Sequence, residues 1–148
     1  MININSFNEI IKKYNFFLFD QWGVLHNGHK KFNDAEICLI KLRELKKKVI
    51  LISNSSRPTK FSISNLTKIG FKKSLYDYCI TSGQITLNNI QKDIYSKYGD
   101  QCYPIKLSSE KIKYFDLKTS KKIENANFAM IADLPNNLSI IDFANTLD

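Results

Sequence analysis

Three short polar clusters each follow a run of apolar residues. Asp20 follows Phe16-Phe17-Leu18-Phe19, Ser53-Asn54 follows Val49-Ile50-Leu51-Ile52, and Thr81-Ser82-Gly83 follows Tyr78-Cys79-Ile80. An aspartate set beside neutral donors and away from lysine stays ionised, and serves as a nucleophile or as a ligand for Mg²⁺. Ser53 and Asn54 are such donors. Gly23 and Gly28 allow the loop after Asp20 to fold tightly, with backbone N–H groups turned toward an anion. Taken singly, Asp and Ser end strands because they start turns. The convergence of three such ends on one rim is what points to a site.

That convergence requires a parallel sheet. Unbroken apolar runs without alternation suit strands buried on both faces. Between the first two runs, Asn33-Asp34-Ala35-Glu36 is a capping signal, and Ala35, Cys38, Leu42 and Leu45 fall on one helix face. Lys46-Lys47-Lys48 closes that helix at the negative end of its dipole. Strand, helix and strand then make one βαβ unit. Ser6-Phe7-Asn8-Glu9 has the spacing of a capping box, which predicts a leading helix to about Lys13. Pro58-Thr59 opens a further helix that Gly70 stops, and Ser82 caps another that Gly99 ends. Beyond Gln101, Cys102 to Ile105 and Phe128 to Ile131 read as strands, and Leu138 to Leu147 as a helix. The charged stretch from Lys106 to Lys122 is the expected domain junction. In an open α/β sheet, ligands bind outside the carboxyl ends of the strands, where all three clusters lie.

Composition narrows the partners. A chain of 148 residues with 43% hydrophobic residues buries one proper core. The formal net charge is +8, but arginine occurs only as Arg43 and Arg57, and no aromatic-basic stripe is present. The reading is therefore no nucleic-acid partner. Cys38, Cys79 and Cys102 are odd in number and form no CxxC pair, which excludes a disulfide framework and argues against zinc. No charged leader with an apolar segment opens the chain, and Phe16 to Phe19 is too short to cross a bilayer. The expectation is a cytoplasmic protein with no membrane partner. Unpaired sheet edges and uncovered surface predict self-association, as a homo-oligomer.

Phe16-Phe17-Leu18-Phe19-Asp20-Gln21-Trp22-Gly23-Val24-Leu25-His26-Asn27-Gly28 resembles the first motif of the haloacid dehalogenase superfamily. Val49-Ile50-Leu51-Ile52-Ser53-Asn54-Ser55-Ser56-Arg57-Pro58 resembles its second, in the version of class IIA, the NagD-like and nitrophenylphosphatase-like phosphatases. Ile80-Thr81-Ser82-Gly83 fits the point where that class leaves its core, and Asn125-Ala126-Asn127-Phe128-Ala129-Met130 resembles an early strand of its cap. The resemblance implies an α/β fold: a Rossmann-like parallel sheet with helices on both faces over residues 1–82, and the start of an α/β cap over 83–148. It implies a Mg²⁺-dependent phosphatase of small phosphorylated metabolites, sugar or nucleotide phosphates. Asp20 is then the nucleophile that becomes an aspartyl-phosphate, and also a Mg²⁺ ligand together with the backbone carbonyl of Trp22. Ser53 holds the transferring phosphoryl group, with Asn54 and the loop amides around Trp22 and Gly23. Arg57 is a candidate for a substrate anion.

Two departures stand beside the resemblance. The family's second aspartate, two residues after the nucleophile, is Trp22 here; that aspartate serves as general acid and base, and losing such a group costs about 10²–10⁴ in rate. A branch of class IIA shares Asp-x-Trp-Gly-Val-Leu-His-Asn-Gly, and His26 and His29 are the candidate substitutes. Moreover, class IIA proteins supply a phosphate-steadying lysine and an acidic pair after the cap. Asp133, Asp142 and Asp148 match no such motif, so the chain is expected to be an N-terminal fragment. The competing reading is a non-catalytic phosphate-ester-binding protein, or an inactive remnant, on the same fold.

Overall fold

The computed structural model describes residues 7–105, 113 and 115–132. Ser6 of the expected capping box, the Leu138 to Leu147 helix, part of the Lys106 to Lys122 stretch, and Asp133, Asp142 and Asp148 lie outside the described residues. The chain forms two compact units, Met1–Gln84 and Ile85–Asp148.

The first unit is an α/β layer. Strands β1 (Phe16–Asp20), β2 (Lys48–Ser53) and β3 (Tyr78–Thr81) form a parallel sheet in the order β1-β2-β3. Helices α1 (Phe7–Lys13), α2 (Asn33–Glu44) and α3 (Thr59–Lys68) alternate with them. Alternate strand residues Phe17, Val49 and Leu51 point into a core with Ile11, Leu25, Leu39, Leu42, Leu66 and Phe71. Leu39, Leu42, Val49, Leu51 and Leu66 are fully buried, and truncating such a leucine to alanine costs about 2–5 kcal/mol. The other face of the sheet is open among the described residues: Phe16 is 66% exposed, Leu18 62% and Tyr78 66%. Among the described residues the apolar runs thus bury Phe17, Val49 and Leu51 in one core, while Phe16, Leu18 and Tyr78 stay exposed.

Two local expectations change. The core face of α2 uses Leu39, fully buried, instead of Leu45, which is exposed. Asn33 does not cap that helix, whose N-cap is Phe32 with no side-chain hydrogen bond. The Lys31 ammonium pairs with Glu36 in the first turn at 2.5 Å and also donates to the Gly70 carbonyl at 3.3 Å. The start of α2 is thus tied to the end of α3 by a cation from the loop that follows Asp20. Gly70 has φ +98, as a helix stop of that kind requires.

At the other end of the sheet, Asp77 accepts the Val49 N–H at 2.8 Å and pairs with Arg43 at 2.7 Å and Lys48 at 3.1 Å. The Val49 N–H, then Lys48 and Arg43, hold its carboxyl below the usual carboxylate range, against a smaller opposing push from burial.

The second unit contains most of α4 (Ser82–Asn89), a π turn over Ile90–Ile94, and α5 (Tyr95–Tyr98), which Gly99 ends at φ +106. Strands β4 (Cys102–Pro104) and β5 (Phe128–Met130) pair in parallel. Its core joins Leu87, Ile90, Cys102, Phe115 and Met130, and burial pushes the Cys102 thiol up to about 11. No helix among the described residues is long and apolar enough to cross a membrane.

Candidate functional site

Parallel register brings the three polar clusters to one rim. Asp20 sits beside Ile52, so Ser53, the last residue of the neighbouring strand, and Asn54 after it come next, and Ser53 sits beside Thr81. Asp20, Trp22, Gly23, Asn54 and Arg57 are all exposed, and Ser53 is half-buried. One Asp20 carboxylate oxygen accepts the Gln21 N–H at 2.7 Å. Neither the other oxygen nor the Trp22 carbonyl is engaged in a hydrogen bond among the described residues.

The loop after Asp20 is held from inside by Gln21, which the sequence reading passed over. Its side chain is buried; it accepts from the Ser62 hydroxyl at 2.7 Å and donates to the Cys79 sulfur at 3.3 Å. The Gln21 carbonyl accepts the N–H groups of Leu25 and His26, and the Gly23 N–H bonds back to the His26 carbonyl at 2.8 Å. These bonds wind the loop into one tight turn. Gly23 has φ +80, a conformation that side chains rarely adopt, so its backbone freedom is used. Gly28 (φ +93) lies under the Trp22 ring: a Cβ there would fall 2.4 Å from a ring carbon. The indole, 67% exposed, thus stands on the rim backed by Gly28 and set edge-on to His26 at 6.1 Å.

The two candidate substitutes for the acid separate clearly. His29 is exposed, whereas His26 is buried. The His26 Nδ1 accepts the Gly28 N–H at 3.0 Å, and Nε2 has no partner among the described residues. Burial lowers its pKa, against a smaller rise from the Asp20 charge. A neutral imidazole with Nδ1 already bonded carries its proton on Nε2.

The second cluster is organised by serines. Ser53 Oγ accepts the Ser55 N–H at 3.2 Å, and Ser55 Oγ accepts the Arg57 N–H at 3.3 Å. The third cluster supplies its anchor. Thr81, fully buried, donates to the Arg57 carbonyl at 2.8 Å and accepts the Gln84 N–H at 3.2 Å. Thr81 therefore caps α4 where Ser82 was expected to; the Ser82 hydroxyl donates instead to the Ser55 carbonyl at 3.0 Å. Gly83 packs so closely on this turn that a Cβ would fall 1.9 Å from the Ser56 carbonyl oxygen. A polar residue on the inward parity of the strand, immediately before Ser-Gly, was the signal for Thr81.

No cluster of three or more His, Cys, Asp or Glu side chains able to hold a metal occurs among the described residues. The unengaged Asp20 oxygen and Trp22 carbonyl are hard oxygen donors at one strand end. They suit part of a Mg²⁺ shell, since that ion keeps several waters and commonly uses only one or two protein carboxylates.

A family profile described as haloacid dehalogenase-like hydrolase matches residues 17–111. Among solved structures, a haloacid dehalogenase-like hydrolase from Brucella suis 1330 superposes with TM-score 0.78 at 23% identity, covering 95% of this chain and 51% of that one. A glycerol phosphate phosphatase from Mycobacterium tuberculosis, solved with calcium, superposes with TM-score 0.61 at 16% identity, over 91% of this chain and 39% of that one. The same protein solved with magnesium gives TM-score 0.58. The chain thus spans about half, or less, of these structures' length. No curated protein sequence matches it significantly.

Proposed function

This chain belongs to the haloacid dehalogenase-like hydrolase family, and we propose that it is the catalytic-rim half of a class IIA, NagD-like, Mg²⁺-dependent phosphatase. Its substrates are small phosphorylated metabolites, its setting the cytoplasm, and residues 83–148 begin a cap that chooses among substrates. The observation that carries the reading is the register of β1 on β2, which pairs Asp20 with Ile52, immediately before Ser53 and Asn54, at a strand end with no lysine in either cluster.

In this reading the Asp20 carboxylate attacks phosphorus, and water then releases phosphate from the aspartyl-phosphate. The Gln21 N–H fixes the rotation of the carboxylate, so that one oxygen is presented for attack. Ser53 and Asn54 donate to the phosphoryl oxygens, and Arg57 meets the rest of an anionic substrate. Asp20 and the Trp22 carbonyl would hold Mg²⁺, which supplies charge neutralisation at the phosphoryl group. Such chemistry is mainly positioning and electrostatics, to which a rigid, hydrogen-bonded loop is suited. The test is Asp20→Asn in the full natural gene product. Phosphate release from a panel of sugar and nucleotide phosphates is expected to fall to background, and unchanged release would sink the reading.

Trp22 supports a second reading, a phosphate-ester-binding protein without turnover. Tight binding of phosphorylated compounds with no phosphate release, even from an activated ester, would establish it.

A further inference from the structure

Gln21 continues the inward parity of Phe17 and Phe19, while its neighbour Asp20 stays exposed. A buried amide side chain needs hydrogen-bond partners, and Gln21 finds them in a closed ring. The Ser62 hydroxyl donates to Gln21 Oε1 at 2.7 Å, Gln21 Nε2 donates to Cys79 Sγ at 3.3 Å, and the Cys79 thiol donates to Ser62 Oγ at 3.6 Å. Within the ring each member donates once and accepts once, so each bond polarises the next and the set favours one geometry. The members come from three places: the loop after β1, the first turn of α3, and β3. The main chain of Gln21 is bonded as well. Its N–H donates to the Asp20 carboxylate at 2.7 Å, and its carbonyl accepts the Leu25 N–H at 2.9 Å and the His26 N–H at 3.2 Å. A residue held at its side chain and at its carbonyl has little freedom to rotate its N–H. Helix α3 starts at Thr59, shortly after Arg57, so the ring also joins the helix behind the second cluster to the loop behind the first.

Resting on the phosphatase reading above, we propose that the Gln21–Ser62–Cys79 ring positions the nucleophile. Gln21 and Ser62 are positioning residues: they act on the Asp20 carboxylate through the Gln21 N–H, and leave contact with the phosphoryl group to Asp20, Ser53 and Asn54. A nucleophile in a reactive pose stands about 3–3.5 Å from the atom it attacks, and a displacement of about 1 Å costs about 10²-fold in rate. Opening the ring frees the Gln21 peptide to turn, and with it the carboxylate. Phosphoryl transfer to Asp20 then slows, while substrate binding, which rests on Ser53, Asn54 and Arg57, changes little.

The experiment measures the first-turnover rate of nitrophenol release from saturating nitrophenyl phosphate, and the KM, in the full natural gene product with Mg²⁺. Gln21→Met keeps the length of the side chain and removes the amide from the ring; Ser62→Ala removes only the hydroxyl. The first-turnover rate is expected to fall about 10- to 10²-fold in Gln21→Met and about 3- to 10-fold in Ser62→Ala, with KM within about threefold of native in both. Asp77→Asn controls for lost stability, since Asp77 precedes β3 at the opposite end of the sheet, and its first-turnover rate should match the native one. A rate within about twofold of native in either ring variant, a KM raised as far as the rate falls, or an equal loss in Asp77→Asn overturns the inference. Each of these leaves the phosphatase reading standing as long as Asp20→Asn abolishes release. Release that survives Asp20→Asn, or none from the native protein, overturns that reading and the inference with it.

Discussion

Thr81→Val changes a hydroxyl to a methyl and leaves the shape of the side chain nearly intact. In the native chain that hydroxyl donates to the Arg57 carbonyl, accepts the Gln84 N–H, and lies 3.4 Å from the Thr59 hydroxyl, all at a fully buried position. Valine offers none of these bonds. Each hydrogen bond lost at a buried position costs about 0.5–1.5 kcal/mol net. The Gln84 N–H stands in the first turn of α4, where water reaches it more easily, so the total expected is about 2–4 kcal/mol. In urea, with a slope of about 1–3 kcal/mol per molar, the unfolding midpoint should drop by roughly 1–2 M. Thr81→Ser separates the hydroxyl from packing: it keeps the bonds and loses one methyl, at about 1 kcal/mol. If valine fell within about 0.5 kcal/mol of the native chain, or serine cost as much as valine, Thr81 would not be the tie between the Ser53–Arg57 turn and α4.

Two further outcomes follow from the same structure. Because the folded pKa of Asp77 is depressed, its contribution to stability is full above the unfolded value near 3.8 and is lost as pH falls through the lower folded value. Thermal melting of Asp77→Asn against the native chain should therefore show a gap at pH 6 that closes below about pH 4; a gap independent of pH would refute the assignment. Phe16, Leu18 and Tyr78 expose an apolar sheet face bordered by strand edges, which supports self-association in solution. Sedimentation velocity should show Leu18→Lys combined with Tyr78→Lys shifting the chain toward monomer, and a native chain already monomeric at high concentration would remove the basis for it.

The rim was legible in the sequence because it depends on strand ends. Three apolar runs, each ending in polar residues, point to the C-terminal edge of a parallel sheet without knowledge of any side-chain contact; Ser53 pairs with Thr81, and Asp20 pairs with Ile52, one position before Ser53. Gly70 and Gly99 marked helix ends because φ near +100 is a local property of the residue. What the pattern did not reveal depends on partners distant in sequence. Gln21 binds Ser62 and Cys79, and Asp77 gathers Arg43, Lys48 and Val49, and no periodicity records such meetings. The choice of Leu39 over Leu45 in α2 is set by where the helix meets the sheet, since both residues fit an apolar stripe. The uncovered sheet face has a similar origin: a run of apolar residues records which residues suit burial, and not whether a helix covers them.

The central claim is that Asp20 attacks phosphorus. The most direct measurement is acid quench of the full natural gene product within one turnover of a radiolabelled phosphate ester in the presence of Mg²⁺, followed by peptide mapping. The account predicts acid-stable label on the peptide containing Asp20, absent in Asp20→Asn and discharged by hydroxylamine as an acyl phosphate is. Phosphate release without label on that peptide, or label that persists in Asp20→Asn, would contradict it.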